Sequence, residues 1–276
     1  MLNLHFLFDE NNMNVRAPDT SSRRLFPVVI ILFLVPLNGS IAYFHMLPRA
    51  APLIITSAIG LVLAGALLIR KRASVHAALL TFLLAAWNNV TDIAVWPSLI
   101  IPLIVYAVFV FAFPPLRRSV NWLRIGQFGG AVWLLIISTV FLSSGVLFIW
   151  FIILNPHLGH FLKSIPRWDP VLLIFEGIGF ALLNAAMEES IYRGVLMQAF
   201  DEVLGPAWIS IILQATAFGL LHIKGIPGGW IGVGMAMIYG LMLGIIRRYS
   251  NGILASYATH VVADVVIFAI LVLLVK

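Results

Sequence analysis

Residues 170–198 read PVLLIFEGIGFALLNAAMEESIYRGVLMQ. The run is long enough to cross a bilayer, for which about 20 apolar residues suffice. Its second half nevertheless carries Glu188, Glu189 and Arg193. A charge at mid-span costs about 3 kcal/mol on the insertion scale, so such residues face a polar interior and are paired or put to use. The stretch therefore predicts a helix inside a membrane bundle. The rest of the chain agrees: of 276 residues, 62% are hydrophobic and 10% charged, with mean hydropathy +1.05. An average soluble domain is about 25% charged. This composition excludes a soluble enzyme, a nucleic-acid-binding module and a disordered chain. The absence of cysteine removes disulfides, thiolate-bound zinc, iron–sulfur clusters and a cysteine nucleophile. The net charge of +6 and pI near 10.0 are assigned to basic residues at cytoplasmic membrane edges.

Working outward, apolar runs lie near 25–47, 51–70, 74–95, 97–113, 127–153, 170–198, 206–222, 229–246 and 252–275. They predict an all-α, polytopic transmembrane bundle of about eight or nine membrane-spanning helices. Asn88, Asn89, Asp92 and Pro97 weaken the third and fourth runs. With the N-terminus inside and nine spans, the inner segments hold Arg16, Arg23, Arg24, Arg70, Lys71, Arg72, Arg117, Arg118, Arg124, Arg193, Arg247 and Arg248. The outer segments hold Arg49, Lys163, Arg167, Lys224 and Lys276. Twelve against five favours this orientation. The expected organisation is a short polar cytoplasmic tail over 1–24, accessory N-terminal helices over 25–124 and a working core over 125–276. The expected location is the plasma membrane of a prokaryote.

The ionisable residues within the later runs fall into three stripes, because residues four apart share a helix face. Asn184, Glu188 and Tyr192 form one, Gln214, Phe218 and His222 a second, and Ser256, His260 and Asp264 a third. Glu189 lies about 100° round the helix from Glu188 and one turn before Arg193. Glu before Arg at this spacing is the favourable order, so Glu189–Arg193 is expected to be a structural ion pair that leaves Glu188 free. Gly205-Pro206 breaks and restarts the helix. Glu188 lies 17 residues before Gly205 and His222 lies 17 after it. Antiparallel helices of equal rise put them at one depth, where a carboxylate and an imidazole can act as a base/acid pair.

These residues carry a resemblance to a known family. Glu188-Glu189-x-x-x-Arg193, Phe218-x-x-x-His222 and His260-x-x-x-Asp264 resemble the three signatures of the CPBP intramembrane endopeptidases. That family groups type II CAAX prenyl proteases with bacteriocin-processing and immunity proteins. The resemblance covers about residues 125–276. It implies a helical membrane core with a water-filled cavity and hydrolysis of a peptide bond in a membrane-associated substrate. By the family pattern Glu188 is the general base, His222 shares the water, and His260 and residue 264 steady the oxyanion. Glu189, Arg193 and Phe218 then support the site. The third signature usually ends in Asn. An ionised Asp264 would repel an oxyanion, so here it is either protonated or orients His260 or His222. Metal-free catalysis with no cofactor is the expectation. The alternative is a zinc ion held by Glu188, His222, His260 and Asp264, whose N/O donors suit that metal.

His-Glu-x-x-His and Gly-x-Gly-Asp are absent, and no Gly-x-Ser-x-Gly surrounds Ser256. Two further classes stay open: a peptide-binding or bacteriocin-immunity scaffold, and an ion-coupled transporter, against which no inverted repeat is found. His5, His45, His76, His157 and His160 are read as isolated interfacial residues, and Glu176 and Asp92 as reaching water from helix ends. Gly228, Gly229, Gly232 and Gly234 are read as sites of close helix packing.

Overall fold

The computed structural model describes residues 25–91, 97–154, 156, 158 and 169–275. The polar tail, Asp92, His5, His157, His160, Lys163, Arg167 and Lys276 lie outside the described residues. The described residues form helices and loops, without a strand. Helix α1 (Leu25–Ser40) continues as a 3-10 stretch, Ile41–Met46. Next come α2 (Ala51–Ile69), α3 (Arg72–Asn88), α4 (Ile100–Ala112), α5 (Pro114–Arg117) and α6 (Gly130–Leu154). Helix α7 (Pro170–Glu189) passes through a π-helical segment, Ser190–Leu196, into α8 (Met197–Leu204). Helix α9 (Trp208–Leu221) ends in a 3-10 turn, His222–Lys224, and α10 (Gly229–Ser250) and α11 (Leu254–Val275) complete the chain.

Within the described residues each apolar run read from the sequence contains a helix, and the molecule is a polytopic helical bundle. Among the described residues six helices are long and apolar enough to cross a membrane: Pro27–Met46, Ala51–Ile69, Gly130–Leu154, Val171–Leu204, Gly229–Ser250 and Leu254–Leu273. Ile100–Ala112 and Trp208–Lys224 are shorter apolar helices. The run at 74–95 becomes α3, which ends at Asn88 and is buried over most of its length. The two asparagines explain that end: Asn88 donates to Ile41 O at 2.6 Å, and Asn89 to Ala85 O at 2.8 Å. The outer faces invert the soluble pattern, with Leu61 76% and Phe141 75% exposed, as a hydrocarbon environment requires. Ile31, Leu34 and Leu80 of the N-terminal helices share one core with Ile191, Phe200 and Phe218.

Helix ends follow local chemistry. Asp169 accepts from Val171 N at 2.8 Å and Pro170 opens α7, the cap and first-turn residues a helix start favours. Gly205 closes α8 at φ 87°, and Asn251 closes α10 at φ 51°, both in the left-handed region. Helices α7 and α11 run antiparallel in a fixed register: Phe180 meets Phe268 at 6.2 Å between ring centroids. One turn further along each helix Asn184 meets Asp264, and one more turn brings Glu188 to His260.

Two sequence expectations need correction. The glycines that let α9 and α10 approach are Gly219, Gly240 and Gly244; a Cβ at Gly244 would sit 2.6 Å from Gln214 Nε2. Gly228 and Gly232 instead close the 225–227 turn against its own backbone, and Gly234 has open space around it. His76 is not isolated at an interface. It is buried, its Nδ1 2.6 Å from Tyr106 Oη and its Nε2 3.0 Å from Ser119 Oγ. A neutral ring accepts from the phenol and donates to the serine, tying α3 to α4 and to the chain after α5.

One end of the bundle gathers basic residues. Arg248 bonds Asp201 at 2.8 Å, Gln198 donates to Ser119 O at 2.6 Å, and Ile253 N donates to Arg124 O at 2.8 Å. These bonds join α8, the 117–127 segment and the α10–α11 turn, and so bring Arg124, Arg247 and Arg248 to the same end.

Candidate active site

The polar residues converge where α7 gives way to the π-helical segment. A π-helix widens one turn and is common at functional sites. Glu189 precedes it by one residue and Arg193 lies inside it. Their ion pair forms as expected, Arg193 Nη1 to Glu189 Oε1 at 3.0 Å, with both side chains essentially inaccessible. The Arg193 guanidinium also sits 4.3 Å from the centre of the Phe218 ring, a contact worth about 2 kcal/mol when desolvated.

Glu189 has a second partner that spacing along one helix does not reveal. Its Oε1 accepts from His260 Nδ1 at 3.0 Å. The carboxylate therefore fixes which ring nitrogen of His260 carries that proton and how the ring is turned. The other nitrogen, Nε2, faces two carboxylates: Glu188 Oε2 at 3.5 Å and Asp264 Oδ1 at 3.8 Å. The second oxygen of Asp264 accepts from Asn184 Nδ2 at 3.2 Å.

Phe218 is more than a cavity wall. Its ring lies 4.5 Å from that of His222, 5.1 Å from that of Tyr192 and 5.9 Å from that of His260. Its carbonyl accepts from His222 Nδ1 at 3.0 Å. A carbonyl only accepts, so Nδ1 carries the proton and Nε2 of the neutral ring keeps its lone pair. The contact of Tyr192 with Phe218 also supports the depth argument, since each lies 13 residues from Gly205. Glu188 and His222 are one turn beyond these on their respective helices.

The structure thus brings Glu188, Glu189, Arg193, Phe218, His222, His260 and Asp264 into one cluster. One stripe member falls elsewhere. Gln214 donates to Gly240 O at 2.8 Å and to Ile211 O at 2.9 Å, seaming α9 to α10. Ser256 lies within hydrogen-bond reach of Glu189 and also donates to Ile253 O, just before α11, at 3.0 Å. Tyr239 is a site neighbour that motif reading missed: its ring meets His260 edge-on at 5.6 Å. It belongs to α10, which carries no signature.

The donors for zinc are of the right chemistry, but among the described residues no three His, Asp or Glu side chains are gathered as a metal-binding group. Both Nδ1 atoms donate, to Phe218 O and to Glu189, which turns both Nε2 atoms toward the cluster, an orientation that serves a bound water or a metal ion alike. The steps derived below use this chain's own residues.

With this geometry in place, comparison with known proteins adds one finding. Residues 170–266 match the family described as type II CAAX prenyl endopeptidase, Rce1-like. This part of the chain is similar to the type II CAAX prenyl endopeptidases, which agrees with the resemblance carried by the three signatures. That family is one of membrane peptidases, and the match supports an intramembrane peptidase of the CAAX type in general. The matched segment runs from the start of α7 into α11 and contains all seven clustered residues. It is narrower than the span of resemblance read from the sequence, since α6 falls outside it. No curated protein and no solved structure matches the chain.

Proposed function

We propose that this protein hydrolyses a peptide bond of a membrane-associated substrate with water activated by Glu188 and His222. One observation carries the reading. Each of the two glutamates has an Oε2 without a hydrogen bond among the described residues, but Glu189 is committed through Oε1 to Arg193 and His260, whereas Oε2 of the buried Glu188 faces Nε2 of His260 at 3.5 Å. A buried carboxylate with a free oxygen beside histidines is placed to take a proton from water.

The steps follow from the donors and acceptors. Glu188 removes a proton from water, and the resulting hydroxide oxygen bonds to the peptide carbonyl carbon while the carbonyl π pair moves to oxygen. His222, with Nδ1 tied to Phe218 O, accepts a hydrogen bond from the same water through Nε2. His260 keeps its Nδ1 proton and donates it in a hydrogen bond to Glu189; as the imidazolium it also offers Nε2–H to the developing oxyanion. Collapse breaks the C–N bond, and the proton taken by Glu188 passes, with help from His222, to the leaving amine. The products are a carboxylic acid and an amine.

The test is a cleavage assay with purified protein and a membrane-tethered peptide. His222→Ala should lower turnover by about 100-fold or more, and adding Glu188→Gln should cost little beyond that, because residues acting as one unit are not additive. A chelator should leave turnover unchanged. Independent, multiplying losses would contradict the shared-water mechanism, and loss of activity on chelation would contradict the metal-free one.

A further inference from the structure

The pair Asn184–Asp264 has no part in the catalytic steps described above. Asn184 belongs to none of the three signatures. It sits one turn before Glu188 on α7, at the level where α11 presents Asp264, and its Nδ2 donates to Asp264 Oδ2 at 3.2 Å. The remaining oxygen of Asp264, Oδ1, is the one 3.8 Å from His260 Nε2. That nitrogen is also 3.5 Å from Glu188 Oε2. Two carboxylates therefore compete for one ring nitrogen, and the closer one is the oxygen assigned to water.

Rotation about the last side-chain torsion of an aspartate is soft, so nothing in Asp264 itself keeps its second oxygen away. Asn184 supplies that restraint. An amide donor on one oxygen fixes the carboxylate plane against α7 and satisfies a lone pair that burial would otherwise leave bare. Released, the carboxylate is free to close on Nε2 of His260, or to turn toward the space where the oxyanion forms and repel it. Phe180 packs against Phe268 with ring centres 6.2 Å apart and planes tilted by 32°, one turn away on the same helix pair, so the two helices hold their register while the pair is varied.

We propose that Asn184 is a positioning residue for this reaction: its amide holds Asp264 so that Nε2 of His260 stays available to the reacting carbonyl. This rests on the peptidase mechanism proposed above.

Turnover and Michaelis constant should be measured with purified full-length protein on a membrane-tethered peptide, beside thermal midpoints of the same samples. Asn184→Leu removes the donor at similar volume. It should lower kcat by about tenfold or more while KM stays within about twofold. Asn184→Asp sets two carboxylates face to face and should lose at least as much. Combining Asn184→Asp with Asp264→Asn rebuilds the hydrogen bond with donor and acceptor exchanged, and should recover about tenfold of that loss. Wild-type kcat in Asn184→Leu would overturn the assignment. So would a reciprocal double variant that regains its thermal midpoint but not its kcat, because the pair would then be only structural. Glu188→Gln in the same assay separates the two claims. If it is inactive while the Asn184 variants turn over normally, only the positioning role falls; if it remains active, the peptidase mechanism itself falls.

Discussion

Glu189 shows what one residue adds once neighbouring helices are in place. The sequence placed it one turn from Arg193, and the 3.0 Å pair follows from that spacing alone. Its bond to His260 does not, since the two residues are 71 positions apart. Both roles predict stability effects of different kinds. Breaking a buried pair by removing one partner strands the other charge and costs about 3–5 kcal/mol. Arg193→Ala and Glu189→Ala should each lower the thermal midpoint of the purified protein, and the double variant should regain part of the loss. Glu189→Ala should in addition cost turnover beyond its stability effect, because His260 loses the acceptor that orients it. Singles with wild-type midpoints would contradict the stranded-charge argument. Arg193 itself is legible as paired but not as the cation over Phe218, which depends on the hairpin of α8 and α9.

At the scale of elements, the helices within the nine apolar runs were legible because each run is bounded by charge, proline or glycine. Periodicity also gave the three polar stripes. The register between stripes was legible only for the α7–α9 hairpin, where Gly205 supplies a pivot to count from. No such pivot links α7 to α11, so Asn184–Asp264 and Glu188–His260 could not be read. The glycine reading failed for a related reason: glycine spacing within α10 does not say which face meets α9. That face is now specified, and a contrast follows. Gly244→Ala pushes a Cβ to 2.6 Å from Gln214 Nε2, disturbing the amide that seams α9 to α10, and overpacking of this kind costs about 1–3 kcal/mol. Gly234→Ala meets nothing within 4 Å and should be neutral or gain up to about 1 kcal/mol from helix propensity. Thermal midpoints of the two variants should therefore move apart, and equal shifts would contradict the packing assigned to α10.

For the whole molecule, the distribution of charge sets orientation. The end that carries Arg124, Arg247 and Arg248 is tied together by Arg248–Asp201 and by the bonds of the 117–127 segment. Basic residues at membrane edges mark the cytoplasmic side. Reporter fusions after Arg72 and Arg248 should both read cytoplasmic, and an external signal at either would overturn the orientation. The same frame places the candidate site inside the bundle, reached by a substrate that is itself associated with the membrane. The central claim is that Glu188 takes the proton from water, and the most direct measurement is single turnover of a membrane-tethered peptide by Glu188→Gln. Glutamine keeps the size and the hydrogen bonds but accepts no proton, so the variant should fold and bind peptide as the wild type does. Its chemical step should be slower by about 100-fold or more. A variant that binds peptide and cleaves it at near the wild-type rate would contradict the account.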